Sequence, residues 1–175
     1  MAYLRHAFPG EDAEHVARAT ALFGQIIARN QSCILTPTVY SEVLHLFVKK
    51  TYERLLKGKA AQFSAQFGVR INSWSDLLKA NPAPLRALNQ HLPLLRQALL
   101  ANNMVIVGQE DLDFASNPPA LPYGEELIAR MLRYGMDTND IVITMEASSL
   151  GIDAIVSMDR DMQRASLDFD VYTWL

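Results

Sequence analysis

Cysteine is nearly absent from this chain of 175 residues. The one cysteine is Cys33, so the chain can form neither an internal disulfide nor a zinc site built from cysteines. Few or unpaired cysteines are typical of proteins from a reducing compartment, and we therefore expect a cytoplasmic protein.

The sequence also lacks a large excess of one charge and a long apolar run. It has 16 basic and 19 acidic residues, with a net charge of -3, so any contact with nucleic acid must come from a local patch. No apolar run approaches the roughly 20 residues of a membrane span. The N-terminus lacks a basic segment followed by an apolar core. We therefore expect no contact with a membrane.

Hydrophobic residues make up 50% of the chain. This content in 175 residues is enough for one compact core and too little for two. We predict a single domain over residues 1–175, with a helical insert at about 60–100. Gly68, Pro82, Pro84 and Pro93 are expected to break that insert into two or three short helices.

Short apolar segments that predict strands alternate with segments of helical periodicity. Strands are expected at 32–36, 103–107, 152–158 and 169–174. Helices are expected at about 13–28, 39–57, 125–134 and 141–150, with Thr38 capping the second. Strands alternating with helices imply an α/β fold whose mainly parallel sheet is covered on both faces.

Four acidic residues stand near predicted strand ends. Asp159 and Asp161 directly follow a strand, and ligands of open α/β sheets bind at the carboxyl ends of strands. Asp140 and Glu42 lie in the first turns of two predicted helices. Oxygen ligands of this kind suit a hard divalent cation. A simpler explanation is that Glu42 complements its helix dipole and that Asp161 caps a turn.

Three consecutive segments, Asp140–Ala147, Gly151–Val156 and Ser157–Met162, together resemble the closing half of a PIN-domain nuclease. In that family an aspartate begins a helix, a small turn and a hydrophobic strand follow, and the strand ends in Thr-x-Asp-x-Asp-Phe. Here Ser157 keeps the hydroxyl of the usual threonine, and Met162 replaces the usual aromatic. The segment 36–45 resembles the motif that supplies the family's second acidic ligand, which would be Glu42.

The resemblance implies a three-layer α/β/α fold with a mainly parallel sheet. It implies a ribonuclease that uses Mg²⁺ or Mn²⁺, held by Glu42, Asp140 and Asp159 with Asp161 as a fourth ligand. The family includes toxins of toxin-antitoxin modules, so RNA, a small antitoxin protein and a second copy of the chain are the partners it implies.

One family feature is missing. PIN-domain nucleases usually begin with a hydrophobic strand that ends in a metal-binding aspartate, whereas Met1–His6 resembles the residues that follow this motif. Met1 would then be an internal methionine of a longer reading frame. The absence favours an alternative function, a catalytically impaired module for nucleic-acid binding or protein assembly. A third alternative is an unrelated metal-dependent phosphatase.

Basic side chains on two predicted helices are candidates for phosphate binding. Because neutralising phosphates dominates affinity for nucleic acid, a basic helix face beside the acidic residues would suit an RNA substrate. The alternative is that both groups only form solvated helix faces. The candidates are Lys49, Lys50, Arg54, Arg130 and Arg133.

Overall fold

Helices dominate the computed structural model, which describes residues 13–112 and 118–172. The predicted opening segment and Trp174 lie outside these ranges. The helices are α1 (Ala13–Ala28), α2 (Pro37–Leu56), α3 (Ala60–Phe67), α4 (Trp74–Ala80), α5 (Pro84–Leu100), α6 (Tyr123–Tyr134) and α7 (Thr138–Ser149). Short 3₁₀ segments occupy Gln109–Asp111 and Asp161–Leu167.

Within the described ranges, four strands of three residues each form two separate parallel pairs. They are β1 (Cys33–Leu35), β2 (Met104–Ile106), β3 (Ala154–Val156) and β4 (Asp170–Tyr172). β1 pairs with β2, placing Ile34 opposite Val105. β3 pairs with β4, placing Ile155 opposite Val171.

The predicted three-layer α/β/α fold around a mainly parallel sheet is wrong. The strands lie within the predicted segments, but the described residues contain two two-stranded sheets and no ladder joining them. Each pair is too narrow and too short to carry a layer of helices on both of its faces. Ile34 and Val105 of the first pair accordingly remain 41% and 43% exposed. Packing between helices therefore supplies most of the core.

Two hydrophobic clusters contain most of the buried apolar side chains among the described residues, and they share no residue. The first cluster joins α6, α7, β3 and the 3₁₀ turn, with Ile141, Met145 and Ile155 among its buried members. The second cluster joins α2 to α4 and the loop before it through Tyr52, Ile71 and Leu77. The Tyr52 hydroxyl also donates to the Asn81 carbonyl at 2.8 Å.

Helix α2 begins earlier than the sequence predicts. Its N-cap is Thr36 and Pro37 occupies its first turn, where the missing N–H of proline costs nothing. Thr38 therefore lies inside the helix, and Glu42 lies in the second turn instead of the first. The Thr36 hydroxyl is buried and has no hydrogen-bond partner among the described residues.

The predicted insert at 60–100 forms three helices, α3, α4 and α5. Pro93 lies inside α5 and does not end it, contrary to expectation. Pro93 and Asn89, four residues before it, are both exposed. Water can therefore reach the Asn89 carbonyl that loses its helical donor.

The turn between α6 and α7 fixes where α7 starts. Gly135 ends α6 in the left-handed conformation, with φ of 64°, as predicted from the sequence. Asp137 is the N-cap of α7, and its side chain accepts a hydrogen bond from the Asp140 backbone N–H at 3.1 Å. Asp140 therefore lies in the first turn, as predicted.

The described helices include none that is both long and apolar enough to cross a membrane.

Candidate functional site

Acidic side chains from three distant segments gather around the first turn of α7. Asp140 is on this turn and Asp137 caps it. Glu42 comes from the second turn of α2, and α2 packs against α7. Asp159 and Asp161 come from the loop and 3₁₀ turn that follow β3.

The pKa of the Asp140 carboxyl group is affected by these acidic neighbours. Its pKa is raised from 3.8 to about 6, first by partial burial and then by the negative charges of Asp137, Asp159, Glu42 and Asp161. Burial and like charges both disfavour the ionised form of a carboxylic acid. The four carboxylates are therefore close enough to Asp140 to repel its charge, and a cation would relieve that repulsion.

The segment after β3 is shaped by its own side chains. The Ser157 hydroxyl accepts a hydrogen bond from the Asp159 backbone N–H at 3.0 Å. One Asp159 carboxylate oxygen accepts from the Asp161 backbone N–H at 2.9 Å. Asp161 forms an ion pair with Arg164 at 3.4 Å. Ser157 thus orders the loop that carries Asp159, and the Asp161 backbone N–H holds one oxygen of Asp159.

The carboxylates around Asp140 have the oxygen donors and the negative charge that suit a hard divalent cation, but they are widely spaced. In the parts of the chain that are described, no three histidine, cysteine, aspartate or glutamate side chains lie close enough together to hold a metal directly. Mg²⁺ keeps several of its waters and is often bound by one or two carboxylates together with substrate phosphates. Contact through one or two of these acids and through water is the arrangement compatible with this spacing.

Arg130 and Arg133 both make contacts within the protein. Arg130 donates to Glu126 at 2.6 Å, to the Thr144 carbonyl at 3.2 Å and to the Ser148 hydroxyl at 3.0 Å, so it joins α6 to α7. Arg133 pairs with Asp168 at 2.7 Å while its side chain stays 55% exposed. Of the two, Arg133 is better placed to reach a phosphate in solvent.

The basic residues of α2 share a helix with Glu42. Lys49 follows Glu42 by seven residues, which is two turns or about 10 Å along the same helix face. Its ammonium group lies 4.0 Å from Glu53, at the limit of an ion pair. Lys50 and Arg54 continue the helix beside it. His45 packs edge-on against Trp74, with ring centroids 5.3 Å apart.

Two site features were missed in the sequence. Asp137 stands directly before the α7 pattern, and an aspartate in that place is an ordinary N-cap signal. Glu146 is buried, with 3% of its surface exposed, and its carboxylate binds Thr38 of α2. No local pattern could have predicted this contact, because 108 residues separate the two side chains.

No family model matches this chain, and neither curated proteins nor solved structures give a match. The resemblance to PIN-domain nucleases therefore stays a prediction.

Proposed function

We propose that this protein is a metal-dependent ribonuclease with the chemistry of PIN-domain nucleases. The observation that carries the proposal is the raised pKa of Asp140, caused in part by acids from three separated segments. A carboxyl group whose pKa is raised by partial burial together with charged neighbours is a candidate for a functional site. The three-layer fold is not part of this proposal.

Mg²⁺ or Mn²⁺ would lower the pKa of an attacking water and neutralise charge on the leaving oxygen. Glu42, Asp140 and Asp159 are the residues proposed to hold the ion, and Asp161 is the fourth candidate. The hydrogen bond from the Asp161 backbone orients one oxygen of Asp159. The proximity of a cation would favour the ionised form of Asp140, which its acidic neighbours otherwise disfavour.

The choice of RNA as substrate is supported by the sequence resemblance and by the basic side chains. Lys49, Lys50 and Arg54 follow Glu42 on α2, so a phosphate backbone that passes the acids would continue along a basic stretch. Arg133 is a further candidate for phosphate contact, and Arg130 would act by holding α6 against α7.

The remaining parts of the proposal are a cytoplasmic location, a homodimer and a small antitoxin-like protein partner. The single cysteine, Cys33, supports a reducing compartment, and burial raises the pKa of its thiol, which lowers its reactivity. The exposed apolar residues Ile128 and Leu132 of α6, 54% and 82% exposed, lie one helical turn apart and support a protein partner.

Cleavage of a mixed-sequence RNA during a Mg²⁺ or Mn²⁺ titration tests the proposal. Asp140→Asn should lower the rate by roughly a hundredfold or more, since even outer-shell changes at metal sites cost about 10–100-fold. Asp153→Asn is the matched control. Asp153 is exposed, lies at the opposite end of β3 from Asp159, and is not one of the charges that raise the pKa of Asp140. Asp153→Asn should therefore leave the cleavage rate unchanged.

Wild-type protein that neither binds Mn²⁺ nor cleaves RNA would contradict the proposal. The second candidate, a module that binds RNA or protein without turnover, is favoured by the absence of a close three-ligand group in the described residues. RNA binding without cleavage at saturating metal would support that candidate. Hydrolysis of small phosphate esters but not of RNA would support a phosphatase.

A further inference from the structure

Glu146 makes a buried polar contact between two helices that carry different parts of the acidic group. Its carboxylate accepts one hydrogen bond from the Thr38 backbone N–H at 3.1 Å and another from the Thr38 hydroxyl at 2.8 Å. Glu146 is on α7 and Thr38 is on α2, and 3% of the Glu146 surface is exposed. Each carboxylate oxygen has one of the two donors.

Burying a carboxylate is costly unless donors replace the lost water. Thr38 lies next to Pro37 in the first turn of α2, where the backbone N–H groups have no partner inside the helix. The positive end of the helix dipole is also at this turn. A negative side chain receiving two charge-assisted hydrogen bonds there is stabilised, and the contact fixes the start of α2 to α7.

The contact lies within a short distance of the candidate ligands along both helices. Glu42 follows Thr38 by four residues, so both side chains lie on one face of α2. Asp140 precedes Glu146 on α7 by six residues, or about 9 Å of helix rise. Fixing Thr38 to Glu146 therefore constrains how near Glu42 can come to Asp140.

Apolar packing does not link the two helices in the same way. Among the described residues, α2 contributes to the cluster around Tyr52 and Leu77, whereas α7 contributes to the cluster around Ile141 and Met145. The polar contact of Glu146 with Thr38 crosses between these clusters. Loss of this contact would free α2 to shift relative to α7 while both clusters stay packed.

We infer that Glu146 is a positioning residue, which holds Glu42 beside Asp140 by binding Thr38 at the start of α2. This inference rests on the proposed function. Glu146 does not touch the metal or the substrate and acts through the relative placement of the two helices. Its removal affects how well the separate acids bind one cation, and excess cation restores the reaction.

The sharpest test changes Thr38, which is outside the proposed metal ligands. Thr38→Val removes the hydroxyl at nearly constant volume, whereas Thr38→Ser keeps it. Thr51→Val is the matched control, because the Thr51 hydroxyl donates to the Phe47 carbonyl within α2 at 2.8 Å. Measuring the RNA cleavage rate across a Mg²⁺ titration separates the half-saturating concentration from the rate at saturation.

Thr38→Val should raise the half-saturating Mg²⁺ concentration roughly tenfold, the size expected for one hydrogen bond to a charged group. Its rate at saturating Mg²⁺ should stay within about twofold of wild type. Thr38→Ser and Thr51→Val should both behave like wild type. An unchanged half-saturating concentration in Thr38→Val would overturn the inference, as would an equal loss in Thr51→Val.

A second measurement does not depend on activity. Spin labels at the exposed positions 41 on α2 and 139 on α7, in a Cys33→Ser background, report the distance between the helices. Thr38→Val should broaden or lengthen the distance distribution, and Thr51→Val should not. An unchanged distribution in Thr38→Val overturns the inference even if the wild type cleaves RNA. A broadened distribution in a protein that shows no cleavage supports the positioning contact and contradicts the proposed function.

Discussion

Asp140 is the residue at which charge, burial and position within a helix meet. Its folded-state pKa of about 6 exceeds the ordinary 3.8, so the folded protein holds this proton more tightly than the unfolded chain does. Well below pH 3.8 both states are protonated and the group makes no difference to stability. As pH rises towards 6 the unfolded chain releases the proton first, and stability falls. Above that pH the full destabilisation remains.

Asp140→Asn should therefore stabilise the metal-free protein at pH 7.5 and not at pH 3.5. The gain should be about 1 kcal/mol, since solvent screens a partly exposed carboxyl and the variant also loses a favourable charge at the start of a helix. Urea unfolding at the two pH values measures it. Asp153→Asn is the control and should change the free energy of unfolding by less than about 0.5 kcal/mol.

A gain for Asp140→Asn that is equal at both pH values would contradict the electrostatic explanation. It would assign the effect to packing or to the intrinsic helix propensity of asparagine instead.

Among the helices, α4 begins with a capping box, in which the side chains of Ser73 and Asp76 each bind a backbone N–H group of the other residue. The Ser73 hydroxyl accepts from the Asp76 N–H at 3.2 Å, and the Asp76 carboxylate accepts from the Ser73 N–H at 3.0 Å. The pKa of Asp76 is lowered mainly by the Ser73 side chain and then by the backbone N–H groups of Asn72 and Ser73. The stability from Asp76 is present above pH 3.8 and is lost as pH falls through its lowered pKa.

Ser73→Ala should lower the free energy of unfolding by about 1 kcal/mol at pH 7, the usual cost of losing an N-cap. The deficit should be smaller at pH 2.5 than at pH 7, because a larger fraction of Asp76 is protonated in acid and a protonated carboxyl is a weaker acceptor in the capping pair. Urea unfolding at both pH values measures it, with the exposed Ser41→Ala as the control. A deficit of the same size at both pH values would show that the carboxylate takes no part.

The positions of helices and strands were largely predictable because they depend on local patterns. The bounds of α1 match its predicted apolar periodicity, and Gly135 ends α6 because glycine accepts a positive φ at little cost. The pairing of strands was not predictable in this way. β1 pairs with β2, which is about 70 residues away along the chain. The short apolar sequences of the two strands do not indicate whether a third strand pairs with them.

The candidate site was predictable only in part for a related reason. Asp140 stands at a helix start and Asp159 follows a strand end, both marked in the sequence, and the structure brings Asp159 and Glu42 within electrostatic reach of Asp140. Their role as metal ligands stays a prediction. Glu146 looks like an ordinary helical glutamate in the sequence, because its partner Thr38 is far away along the chain.

At the scale of the whole molecule, the main feature of the described residues is that most of their buried apolar side chains fall into two separate clusters. One surrounds Ile141 and the other surrounds Ile71, and these side chains are 0% and 1% exposed. Parts of a protein with separate cores can open with separate free energies. Local changes in one cluster should therefore affect that part of the chain more than the other.

Ile141→Ala and Ile71→Ala should each cost about 2–5 kcal/mol in overall stability, as cavities in well-packed cores do. In native-state hydrogen exchange, Ile141→Ala should reduce protection mainly in α6, α7, β3 and β4. Ile71→Ala should reduce protection mainly in α2, α3 and α4. Equal loss of protection throughout the described residues in both variants would mean that the two clusters unfold as one unit.

The contact between Tyr134 and Asp168 has a consequence in alkali. Burial first, and then the hydrogen bond that the hydroxyl donates to Asp168, raise the pKa of Tyr134 from 10.0 to about 12. Between these values an unfolded chain would form the phenolate while the folded protein retains the phenol, so strong base favours unfolding. The hydroxyl therefore remains a hydrogen-bond donor well into alkaline solution, where an ordinary tyrosine has lost its proton, and Asp168, just before β4, stays bound to the end of α6.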